Sequence, residues 1–115
     1  MFNVNKIDEA TLIAIDTETY DPNLKTMGPG GFRKDGYIVG ISIATDSGYN
    51  EYFPIKHQGG GNLNKDKVIS FLLYIYSTKK KLVFANAMYD VEWLYSLDNR
   101  LTLTRTHEIL DVLSI

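Results

Sequence analysis

At 115 residues the chain has room for one domain at most, with enough material to bury a real core. Its 44% hydrophobic and 23% charged residues are those of an ordinary soluble globular protein, and a net charge of −2 gives no bulk attraction for a polyanion. Cysteine is absent, which excludes disulfides and thiolate metal sites alike.

The opening MFNVNKIDEA lacks a basic stretch followed by an apolar one, and no apolar run approaches membrane-spanning length. A cytoplasmic protein with no membrane partner is therefore expected. Leu12 to Thr17 reads as a strand whose alternating faces are both mostly apolar (Leu12 and Ala14; Ile13 and Ile15). Such a strand is expected in the middle of a sheet, covered on both sides by helices. Residues 21–36, with two prolines and four glycines, read as a loop. Residues 37–44 alternate like a strand, TDSG at 45–48 is turn chemistry, and 49–55 return as the second arm of a hairpin. Pro54 puts that arm at an edge or at its end.

The HQGGGN segment at 57–62 is read as a loop, since it lacks the Gly-Lys-Ser/Thr ending of a phosphate-binding loop. Asn64 is placed to cap a helix whose apolar positions Val68, Phe71, Leu72 and Ile75 have helical spacing. Asp66 suits the start of that helix and Lys79, Lys80 and Lys81 its end. Residues 82–85 form a short buried strand, and Asn86 starts a second helix through about Leu97. A further strand is expected at 101–106 and a helix start at Asp111, with His57 and His107 structural or in loops. The order β-β-β-α-β-α-β predicts a mixed α/β layer architecture.

The strand at 12–17 ends in IDTET. Residues i and i+2 of a strand share a face with Cα atoms about 6–7 Å apart, so Asp16 and Glu18 point the same way. Two carboxylates at about 4 Å repel by about 4 kcal/mol at an effective dielectric near 20. A hard, oxygen-liganded cation between them relieves that repulsion; two solvated acids at a strand end are the plainer alternative. In NAMYDVEWLYSL, Asp90, Trp93, Leu94 and Leu97 fall on one helical stripe. The first member of that sheet-facing stripe is an acid where a leucine would pack better. Asp90 is either a third acid of the site or a first-turn residue favoured by the helix dipole.

IAIDTET, followed far downstream by NAMYDVEWL, resembles the first two motifs of the DEDD superfamily of 3′–5′ exonucleases. The likeness is strongest to the proofreading domain of family A DNA polymerases, bacterial polymerase I and its phage relatives. YIVGISIATDSGYNEYFPIKH resembles that family's second and third strands, and DVLSI the helix after its second motif. The resemblance implies a ribonuclease H-like fold and hydrolysis of a DNA 3′ end with two Mg²⁺ or Mn²⁺ ions. It implies that Asp16 touches both ions, Glu18 the one activating water, and Asp90 the second. It also implies a single- or frayed-strand DNA 3′ end as partner, contacted by Thr19 through its amide and by Asn86 and Tyr89. Lys25, Arg33 and Lys34, on the loop after the first motif, are candidates for phosphate contact.

The family also carries a third motif with a fourth acid on a later helix. Asp111 lies only 21 positions beyond Asp90 (111 − 90), where the family has the helix following its second motif. The chain is therefore expected to be the N-terminal part of an exonuclease domain, joined to the remainder of a polymerase and acting in a host cytoplasm if phage-encoded. An RNA-trimming relative, and a catalytically incomplete nucleic-acid-binding module of the same fold, remain alternatives at this stage.

Overall fold

A computed structural model describes residues 1–114. Five strands form one mixed sheet in the order β3-β2-β1-β4-β5. They are β1 (Leu12–Tyr20), β2 (Tyr37–Thr45), β3 (Asn50–Pro54), β4 (Lys81–Phe84) and β5 (Ile109–Asp111). The antiparallel meander β1-β2-β3 continues on the other side of β1 into parallel pairing with β4 and then β5. The helices are α1 (Val4–Glu9), α2 (Leu24–Met27), α3 (Lys65–Ser77) and α4 (Ala87–Leu97). This is the ribonuclease H-like mixed α/β architecture that the sequence resemblance implies.

One face of the sheet carries the core. Ile13 and Ile15 of β1, Ile41 and Ile43 of β2, and Leu82 and Phe84 of β4 are buried against Leu72 and Ile75 of α3 and Trp93 and Leu94 of α4. Full burial of each such side chain contributes roughly 1.5–3 kcal/mol. The spacing read from the sequence places both long helices correctly. Asn64 caps α3 by accepting the Lys67 amide through its side chain, and Asn86 is the capping residue of α4 by backbone conformation.

Four expectations need correction. The helices cover one face of β1 only. Leu12 is exposed and Ala14, Ser42, Ala44 and Val83 are only partly covered, so the apolar alternation on both faces did not mean two covered faces. No strand forms at 101–106. The Thr104 amide is taken by His107 Nδ1 (2.9 Å) and the His107 amide by the Thr104 carbonyl (3.0 Å), closing a turn that competes with a ladder. The strand is instead β5, and Asp111 is its last residue rather than the first of an α-helix. It does cap, since its Oδ1 accepts the Leu113 amide (3.1 Å) in the 3₁₀ turn Val112–Ser114. Finally, of the lysine run only Lys79 stays at the end of α3, where its amide donates to the Tyr76 carbonyl (3.3 Å). Lys81 lies in β4, and the Lys80 ammonium donates to the Asp8 and Ala10 carbonyls at the end of α1 (2.6 Å for Ala10). Helix α1, capped by the Asn3 side chain on the Lys6 amide, and the short α2 inside the 21–36 segment were not anticipated.

Candidate functional site

Strand β1 outlasts its neighbour. Its pairing with β4 runs from Leu12 to Ile15, whereas pairing with β2 continues to Tyr20. From Asp16 onward β1 therefore has one free edge at the carboxyl ends of the parallel strands, where open α/β sheets place their ligands. The chain leaves β4 at Phe84 and enters α4 three residues later, which brings the start of that helix beside the free edge.

Alternation along β1 sorts the motif residues into two sets. Thr17 and Thr19 meet α4. The Thr17 hydroxyl donates to Asp90 Oδ1 at 2.6 Å and its amide to the same oxygen at 3.3 Å. Asp90 Oδ2 accepts the Asn86 amide (3.2 Å). Asp90 is only 1% exposed, and these bonds supply the polar partners that a buried carboxylate requires. The Thr19 and Tyr89 hydroxyls bond at 2.5 Å, and the Tyr89 hydroxyl lies 3.4 Å from Asp21 Oδ2. Burial pushes the Tyr89 phenol upward. The side chain of Asn86 makes no cap bond to α4.

Asp16 and Glu18 form the other set, both exposed. The Asp16 carboxyl is held above its usual range, first by partial burial and then by the charge of Asp90, with Glu18 adding to the repulsion and the Thr17 amide opposing it. The Glu18 carboxylate accepts a bond from the Tyr52 hydroxyl (2.6 Å), which lies 2.6 Å from His57 Nε2. Burial and the bond to Glu18 push the Tyr52 phenol up to about 12, so it keeps its proton and donates. Neither Tyr52 nor His57 was singled out as functional from the sequence. The signal was present only as Tyr-x-Pro-x-x-His, and the register that sets it against Glu18 is a tertiary matter.

The loop cations are placed differently from one another. The Arg33 guanidinium donates to the carbonyls of Met27, Gly28 and Pro29 (2.8–3.0 Å) and so folds the loop upon itself. Lys34 donates to the Ser96 carbonyl (3.0 Å), tying the loop to the end of α4. Two acids complete the anchorage, Asp21 accepting the Gly30 amide (3.1 Å) and Glu92 the Gly31 amide (3.2 Å). Lys25 is exposed on α2.

Among the described residues no three acids or histidines come close enough to hold one metal ion between them. Asp16 and Glu18 nevertheless fit a hydrated Mg²⁺ or Mn²⁺. They offer oxygen donors only, they are open to solvent, and the repulsion acting on Asp16 is what a cation would relieve. Mg²⁺ keeps several waters and takes one or two carboxylates, so two acids suffice for a first hold.

No family model matches the chain. It is 45% identical over 87 residues to a DNA-directed DNA polymerase of Pseudomonas phage M6, a match covering 74% of this chain and 13% of that protein. It is 31% identical over 104 residues to DNA polymerase I of Pseudomonas aeruginosa PAO1, covering 87% and 10% respectively. The chain thus spans about a tenth of the length of the curated relatives it matches. Among solved structures, the family B DNA polymerase of the archaeon Pyrobaculum calidifontis shares the fold, with a TM-score of 0.53 at 18% identity over 85% of this chain and 12% of that one. Its relatives by sequence are DNA polymerases, and the similarity extends over most of the chain.

Proposed function

We propose that this chain belongs to a DNA polymerase and forms part of its 3′–5′ exonuclease domain, trimming the 3′ end of a single or frayed DNA strand. One observation carries the reading. Asp16 and Glu18 stand side by side past the end of the β1/β4 pair, and the α4 terminus bearing Asp90 is docked on the threonine between them. The likeness to segments of DNA polymerases supports the same reading.

In this reading Asp16 and Glu18 hold the divalent cations, and Asp90 acts from behind Thr17, adding negative field and locking the strand against the helix. Bound Mg²⁺ or Mn²⁺ would lower the pKa of the attacking water and neutralise charge on the attacking and leaving oxygens. The protein's own part is positioning. The Thr17–Asp90 bonds hold β1 in place, so that the two carboxylates would present their cations to the scissile phosphate in one geometry, and positioning of this kind supplies much of the rate. The Thr19 amide and Asn86 side chain face the strand terminus, and Lys25 meets a backbone phosphate.

The test is stepwise shortening of a 5′-labelled single strand in Mg²⁺ by the polymerase containing this segment, with Asp16→Ala and Glu18→Ala as comparisons. Loss of trimming in both variants is expected; undiminished trimming in both overturns the assignment. Parallel assays on RNA of the same sequence decide between DNA and RNA ends. A second reading has its own support, because both oxygens of Asp90 are spent on internal bonds. It holds that the segment binds nucleic acid without cutting it, and strand binding without release of nucleotides would be its signature.

A further inference from the structure

Glu18 pairs with Gly40 across the β1/β2 ladder, and Gly40 in turn pairs with Pro54 at the end of β3. Tyr52 lies two residues before Pro54, so its ring must cross β2 to reach Glu18. It does so directly over Gly40. A Cβ at position 40 would stand 1.9 Å from the Tyr52 hydroxyl and 2.3 Å from the ring carbon bearing it. No residue other than glycine leaves this passage open. At its far end the hydroxyl meets Glu18 Oε2 and His57 Nε2, each at 2.6 Å.

The brace continues. Asn62 accepts the His57 amide (2.7 Å) and donates to the His57 carbonyl (2.9 Å), clamping the glycine-rich segment between them into a closed loop. A hydrogen bond at an exposed site exchanges readily with water. Here the half-exposed ring lies against Gly40 on one face and the hydroxyl is held from two sides, so the carboxylate meets a positioned donor.

We propose that Tyr52 is a positioning residue for Glu18, fixing the carboxylate in the orientation in which it takes a divalent cation. This inference rests on reading Glu18 as a cation ligand. One carboxylate oxygen accepts from Tyr52 and the other is left to the cation, the division of labour by which outer partners orient metal ligands. His57 and Asn62 act one step further out by holding the phenol.

The test is a Mn²⁺ titration of the chain, followed by water-proton relaxation, for the unaltered protein and for Glu18→Gln, Tyr52→Phe, Gly40→Ala and the Glu18→Gln/Tyr52→Phe pair. Loss of an outer partner of this type costs about tenfold or more in affinity. Tyr52→Phe is expected to lose that much, and Gly40→Ala a similar amount by displacing the phenol while keeping its hydroxyl. The double variant is expected to bind no more weakly than Glu18→Gln alone, because the two side chains act through one contact. Additive losses, or normal affinity in Tyr52→Phe and Gly40→Ala beside a weakened Glu18→Gln, overturn the positioning role and leave the cation reading standing. Normal affinity in Glu18→Gln overturns both.

Discussion

The two sides of β1 beyond Ile15 differ in what they are made for. Thr17 and Thr19 turn toward α4, where each hydroxyl has a partner: Thr17 on the buried Asp90, Thr19 on Tyr89. Asp16 and Glu18 turn the other way, exposed, with Asp16 repelled by its neighbours and Glu18 held by one phenol. One strand thus carries a side closed against a helix and a side left open to solvent. The two acids are left to solvent because alternation turns the threonines between and after them toward α4.

The largest expected effect lies on the closed side. Trp93, one turn beyond Asp90 on α4 and 1% exposed, packs in the core beneath the strand. Trp93→Ala should cost about 3–5 kcal/mol of unfolding free energy by urea titration. A loss under about 1 kcal/mol would mean that α4 is not anchored where it stands.

Thr17→Val keeps the shape and removes the hydroxyl that serves Asp90. A buried carboxylate losing a charge-assisted bond should destabilise the fold by about 1–3 kcal/mol. The same variant should also weaken Mn²⁺ binding at the proposed Asp16 and Glu18 site, because the strand is then less firmly set. An unchanged unfolding midpoint would show that the Thr17 amide alone satisfies Asp90.

Asp16→Asn should have the smallest effect on stability and the opposite sign. The folded-state pKa of Asp16 lies above its ordinary value of 3.8, so the folded chain holds this proton more tightly than the unfolded one. Stability from this group is therefore lost as pH rises through the carboxylate range, and the deficit persists at neutral pH. Removing the charge should raise stability at pH 7 by less than about 1 kcal/mol, given solvent screening, and make no difference at pH 3. Unfolding curves at the two pH values check it. A variant markedly less stable at pH 7 would place Asp16 among the structural residues after all.

The long elements were legible because each obeys one period over many residues. Val68, Phe71, Leu72 and Ile75 announce α3, and the alternation at 37–44 announces β2. The acids were legible because a carboxylate at the end of an apolar strand, or at the head of an apolar helical stripe, needs a reason. The short elements were not. The strand at 109–111 has three residues, too few for a period, and the threonines at 102–106 have the composition of a strand but close a turn on His107.

What the sequence alone determined is the placing of the long elements β1, β2, α3 and α4 and the sharing of one side of β1 by Asp16 and Glu18, since strand alternation and helical period are properties of local backbone geometry. Only the tertiary structure decided what stands opposite each side. Asp90 meets Thr17 because β4 ends before β1 and α4 begins in the space it leaves. Tyr52, in register with Ser42, meets Glu18 because Gly40, the partner of Glu18, carries no side chain to block the ring. Arg33 and Lys34, cations that the chain order places beside the site, are drawn off by backbone carbonyls within reach. Period is written between neighbours in sequence; register, burial and the partner of a charge are set by residues dozens of positions away.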